Sequence, residues 1–106
     1  MSTNNQIGQF PTLLSGEEKT LTFQFDDELP IGATLTGTPS VEVTVIRGAD
    51  ANPSQFALAA GFDAGERNVC LVVKGLVRSV EYEIRVLATT SDAQHKPGRV
   101  GRILVK

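Results

Sequence analysis

The sequence predicts a single all-β domain, an antiparallel sandwich of about seven strands. Three observations predict it. Short runs of alternating apolar and polar residues are separated by clusters of Gly, Pro, Asn and Asp at intervals of roughly ten residues, the rhythm of a sandwich or barrel. No 3.6-residue apolar period persists for long, which argues against helices. The chain has 106 residues and no long polar tract, so it has room for one hydrophobic core and one compact domain.

Residues 1–16 are polar and punctuated by Gly and Pro, with Phe10, Leu13 and Leu14 alone able to anchor them. They read as a flexible N-terminal arm ending in a short edge strand, with the sandwich proper over 17–106. The first firm strand is Lys19–Phe25, where Leu21, Phe23 and Phe25 face one way and Thr20, Thr22 and Gln24 the other. Asp26-Asp27-Glu28-Leu29-Pro30-Ile31-Gly32 ends it as a turn, because Pro lacks the ladder donor and Gly accepts turn geometry. A second strand, Val41–Ile46, sets Val41, Val43 and Val45 against Glu42 and Thr44, and Arg47 to Pro53 closes it as a loop. Gln55–Ala59 fits a short strand and a helical turn equally well. Beyond the Gly61–Arg67 turn, Val69, Leu71 and Val73 alternate with Cys70 and Val72 up to Gly75. The longest strand is Val80–Thr89, with Val80, Tyr82, Ile84, Val86 and Ala88 inward and Glu81, Glu83 and Arg85 outward. Ser91–Gly98 is a polar tip, and Arg99–Val105 returns with Ile103 and Val105 inward and Arg102 outward. These last two strands should form a hairpin in which outward acids meet outward bases.

One local signature narrows the fold. Leu76 stands six residues before Tyr82, which opens an alternating strand. The spacing resembles the tyrosine corner of immunoglobulin-like and fibronectin-type-III-like sandwiches, in which the phenol bonds back to backbone a few residues upstream. Leu76 and Tyr82 are therefore the structural residues of interest. The expected fold is an immunoglobulin-like or fibronectin-type-III-like antiparallel β-sandwich.

The search for chemistry returns little. Ten Lys and Arg against twelve Asp and Glu give a formal net charge of −2, without the positive excess that phosphate-backbone binding uses. The single Cys70 allows no internal disulfide, as suits a reducing compartment. The start lacks the basic and apolar regions of a signal peptide, and no apolar run reaches the ~20 residues of a bilayer span. The only His, His95, has no set of companion ligands for zinc, and Asp26-Asp27-Glu28 are adjacent acids that do not point at one centre. Ser91, Asp92 and His95 have triad chemistry but crowd one turn without oxyanion donors. The expectation is no catalytic residue, cofactor, metal, nucleic acid or membrane, and hence a non-enzymatic protein that works by binding. His95, Lys96, Arg99, Arg102 and Lys106 read as a basic patch near one end of the domain, without interleaved aromatics; such clusters are mostly solvated surface, and the other reading is a docking patch for an acidic protein surface.

The order of residues resembles short immunoglobulin-like structural proteins of tailed bacteriophages and prophages, of the fibre–tail adaptor or head–tail-region type. The matching stretches are Glu18 to Asp26 followed by Leu29-Pro30-Ile31-Gly32-Ala33-Thr34-Leu35; Val69 to Gly75; and Tyr82 leading through Ala88-Thr89-Thr90-Ser91 to Gly98-Arg99 and Arg102-Ile103-Leu104-Val105-Lys106. They span nearly all of 17–106. The Trp that such proteins commonly carry near the first two firm strands is absent here, and Asp92 to Pro97 lengthens a tip that is usually tight. The resemblance implies a virion structural or adaptor protein, made in the host bacterial cytoplasm, whose partners are fibre, tail or head–tail components and which oligomerises only when assembled. Exposed loop tips on a rigid sandwich are usual places for recognition. The candidate partner contacts are accordingly Ser91, Asp92, Gln94, His95, Lys96, Arg99 and Arg102. The alternative is a bacterial protein- or carbohydrate-binding module on the same fold.

Overall fold

The computed structural model describes residues 8–25, 29, 31–91 and 97–106. Its strands are β1 (Gly8–Gln9), β2 (Glu18–Gln24), β3 (Leu35–Arg47), β4 (Ala57–Phe62), β5 (Asn68–Lys74), β6 (Val80–Thr90) and β7 (Gly98–Val105). They form two sheets, one of four strands in the order β1-β7-β6-β3 and one of three in the order β2-β5-β4. The protein is all-β, and the two sheets face each other across one core.

Alternation decides which side of each strand is buried. Leu21 and Phe23 of β2, with Phe25 just beyond it, meet Val69, Leu71 and Val73 of β5. Val80, Tyr82, Ile84, Val86 and Ala88 of β6 and Ile103 and Val105 of β7 close the core from the other sheet. The hairpin of β6 and β7 is in register from Val80 opposite Val105 to Leu87 opposite Gly98. Burial of these side chains, at about 1.5–3 kcal/mol for each large aliphatic or aromatic group, is the main term holding the sheets together.

Three elements depart from the sequence reading. The strand expected at Val41–Ile46 begins at Leu35, because the Gly37-Thr38-Pro39 stretch, which has turn composition, is absorbed as an irregularity between Thr36 and Ser40 without ending the pairing with β6. Gly37 takes φ of 70° there, within the region glycine favours. The ambiguous Gln55–Ala59 stretch divides in two. Pro53–Phe56 is a single 3-10 turn that buries Phe56, and Ala57–Phe62 is strand β4.

The third departure is in the stretch read as a loose arm. From Gly8 onward it runs parallel to β7, with Gly8 opposite Gly101 and Leu13 bridged to Val105. The amides of Phe10, Leu13 and Ser15 donate to the carbonyls of Arg102, Leu104 and Lys106, and the amide of Lys106 donates to Leu13. Leu13 is fully buried, and the Phe10 ring meets Phe23 edge-on at 5.2 Å between centroids. Gly101 makes this possible: a Cβ there would collide with Phe10 and come within 3.2 Å of Phe23. The strand resembling an edge is therefore β1 at Gly8–Gln9, and the residues after it close the open side of the sandwich between β7 and β2. Residues 1–7 lie outside the described residues.

At the opposite end, one polar cluster fixes the β4–β5 turn. Asp63 accepts from the amides of Arg67 and Asn68 and from the Asn68 side chain at 2.9–3.1 Å, and these bonds hold its carboxyl below the usual carboxylate range. Asn68 in turn accepts from the Phe25 amide, and the Arg67 guanidinium donates to the carbonyls of Ala33 and Leu29. The cluster thus ties β2, the segment before β3, and β5 into one rigid corner.

Candidate protein-contact face

Tyr82, the residue singled out for a corner motif, is fully buried. Its ring stacks on Phe56 at 4.2 Å between centroids and 14° between planes. The hydroxyl does not turn back to nearby backbone. It donates to Asp50 Oδ2 at 2.7 Å, 32 residues upstream in the loop after β3, while Asp50 Oδ1 accepts from the Asn52 amide. The reason is competition. Of the backbone before Tyr82, Gly75 is engaged with Gly16 and Glu17 and the Ser79 amide with the Val105 carbonyl, and a carboxylate is a stronger acceptor than a carbonyl. Burial and the Asp50 carboxylate together push the phenol well above its ordinary value. Leu76 is 45% exposed and contributes nothing to that hydrogen bond.

Three of the predicted contact residues, Ser91, Arg99 and Arg102, are among the described residues, and these three do not share one patch. Ser91 stays at the base of the tip, where its amide donates to the Thr34 carbonyl and its Oγ accepts from the Thr34 amide. Asp92, Gln94, His95 and Lys96 lie outside the described residues, as does the acidic run Asp26-Asp27-Glu28. Arg99 belongs to the inner side of the sandwich: it is opposite Val86, its guanidinium sits 5.3 Å from the centre of the Phe25 ring, and its Nε donates to the Gln24 carbonyl. It links the two sheets at the tip end. The parity was present in the sequence, since Arg99 is two and four positions from Gly101 and Ile103, but its charge suggested solvent. Arg102 does face outward. It is held by Glu83, with Nη2 and Nε at 3.2 and 3.3 Å from the same carboxylate oxygen, the predicted cross-strand pair. Such a pair contributes about 0.2–1 kcal/mol.

What the structure does assemble is the outer face of the four-stranded sheet. Cross-strand partners share a face, so Glu42 lies beside Arg85, Thr44 beside Glu83, Ser40 beside Leu87, and Arg47 beside Glu81. The Arg47 and Glu81 side chains approach to 3.8 Å. Toward the tip this face dips into a groove of about 340 Å³ whose side chains include Ser40, Glu42, Arg85, Leu87 and Val100, with Gly98 at its end. Gly98 keeps the groove open, since a Cβ there would come within 2.8 Å of Leu87 Cδ2. Leu87 is 57% exposed despite its place in the middle of a paired strand. The sequence reading weighed loops and clusters of one charge, whereas this face mixes both charges along paired strands. The signal was there in the order Glu81, Glu83, Arg85, Leu87, four outward positions of which the last is apolar.

Among the described residues no three His, Cys, Asp or Glu side chains converge as a metal site, and no helix is long and apolar enough to cross a membrane. No family model matches the chain, and no curated protein matches it. Among solved structures the chain is similar to the solution structure of Amebosin, at 14% sequence identity and a TM-score of 0.44 over all of this chain and 95% of that one.

Proposed function

We infer that the protein is a non-enzymatic structural or adaptor component of a phage or prophage virion, built on an immunoglobulin-like sandwich and acting through protein–protein contacts. The fold type is supported by strand order. With β2 to β7 read as B, C, D, E, F and G, the sheets are B-E-D and G-F-C, and β1 takes the place of an A strand that has moved onto G. The virion assignment draws on the resemblance of residues 17–106 to short phage structural proteins. The observation that carries the mode of action is the grooved outer face of the four-stranded sheet, which combines exposed Leu87 with charged Glu42 and Arg85 on a rigid platform. A carbohydrate-binding reading is less well supported. Every Phe and the one Tyr pack in or against the core, leaving no aromatic platform on which a sugar ring could stack.

The experiment is deletion of the gene from an inducible prophage, followed by mass spectrometry and electron microscopy of purified particles. The expected outcome is that normal particles contain the protein and the deletion strain makes defective or non-infectious ones. Particles that never contain the protein, together with unchanged infectivity on deletion, would refute the virion reading. A second strain with Ser91–Gly98 shortened to Gly-Gly tests the tip alone. If that chain folds and assembles normally, the contact role given to the tip fails.

A further inference from the structure

The outer face of the four-stranded sheet has an internal order that a single chain does not use. Its charged side chains on β3 and β6 are Glu42, Arg47, Glu81, Glu83 and Arg85, and β7 adds Arg102. Three acids and three bases balance, so the face offers no overall attraction to a strongly acidic or strongly basic partner. Within it, Glu83 is held by Arg102, and Glu81 lies against Arg47. Glu42 and Arg85 stand directly opposite each other in the ladder and both line the groove. Neither has an ion pair or side-chain hydrogen bond among the described residues.

We propose that this face binds a second copy of the chain, about a twofold axis parallel to the strands and midway between β3 and β6. The register dictates the consequence. Such an axis exchanges the two strands at each level, so every outward residue of β6 comes to lie over the residue that is its own neighbour on β3. Reading along the ladder, Leu87 of one copy covers Ser40 of the other, Arg85 covers Glu42, Glu83 covers Thr44, and Glu81 covers Arg47. The rows are a large apolar group over a small one, a base over an acid, an acid over a hydroxyl, and an acid over a base. None of the four sets like charges together. The half-exposed Leu87 would then enter the groove of the second copy beside Ser40, and the two free charges, Glu42 and Arg85, would each gain a partner. Sheets packed face to face stand about 10 Å apart, a distance that side chains of this length bridge.

The proposal deepens the protein-contact reading by naming the partner of that face, and it rests on that reading only for the face's role in contact. Its test uses the purified full-length chain in sedimentation velocity and light scattering across a concentration series. The wild type is expected to shift from one chain mass to two. Arg85→Glu places acid against acid at two symmetry-related points and should weaken the dimer on the order of 100-fold or more, and Glu42→Arg should do the same with bases. Mixed one to one, the two variants should dimerise with each other. The introduced acid of the first then meets the introduced base of the second, while the first variant's unchanged Glu42 meets the second's unchanged Arg85. Circular dichroism confirms that each variant keeps the wild-type fold. A wild type that stays monomeric to millimolar concentration overturns the proposal. So do single variants that dimerise as the wild type does, or a mixture that stays monomeric. A chain that dimerises in this way but never enters particles keeps this inference and refutes the virion assignment; a chain that enters particles but stays monomeric in solution does the reverse.

Discussion

Tyr82 is where a single side chain joins three parts of the molecule: its ring lies on Phe56 of the 3-10 turn, its hydroxyl on Asp50 of the loop after β3, and its backbone in the centre of the four-stranded sheet. Replacing it with Phe keeps the ring and strips a hydrogen bond from a carboxylate, so Tyr82→Phe should cost on the order of 1–3 kcal/mol in denaturant melts. A loss indistinguishable from zero would mean that Asp50 is fully served by the Asn52 amide and water. The same bond predicts behaviour in alkali. The phenol is raised in the folded state relative to an ordinary value near 10, so the folded chain holds its proton where the unfolded chain releases it. The stability this contributes is complete below about pH 10 and is lost as pH climbs from there toward the folded-state value. Because this is the only Tyr and there is no Trp, absorbance at 295 nm reads it directly. Phenolate should form only together with loss of the β-sheet circular dichroism signal, and phenolate formed while the fold persists would contradict the buried Asp50 bond.

At the scale of elements, the strands and their inward faces could be read from period-two alternation, and the β6–β7 hairpin with its acid-to-base pairing followed from it. The misjudged parts were those whose partners lie far away in sequence. Tyr82 takes its acceptor from Asp50 and not from local backbone, Arg99 is drawn inward by the Phe25 ring and the Gln24 carbonyl, and Leu13 is buried by the last strand. Alternation shows which way a side chain points but not what waits there. The order of the outer face of the four-stranded sheet went unread for a related reason: it lies in the register of β3 against β6, and an irregularity between Thr36 and Ser40 shifts that register in a way composition does not show. The docked N-terminal segment can be tested as an element. Leu13→Ala removes a fully buried side chain, and the expected cost is about 2–5 kcal/mol in a urea melt. An arm that merely rested on the surface would show a change near zero.

For the molecule as a whole, the pairing of the segment from Gly8 with β7 sets how it would carry a load. Both segments run in the same direction, so tension applied through the two ends of the chain pulls them past each other lengthwise. The bonds from Phe10, Leu13 and Ser15 to Arg102, Leu104 and Lys106, and the return bond from Lys106 to Leu13, are then loaded together instead of being peeled apart one at a time. The Phe10 ring, wedged over Gly101 against Phe23, obstructs the same sliding motion. The molecule is built to resist stretching along its length far better than its few terminal hydrogen bonds would suggest. In a single-molecule pulling experiment it should give way in one abrupt rupture, and Phe10→Ala should lower the rupture force. A gradual, stepwise lengthening at low force would mean that the two segments separate like a zipper after all.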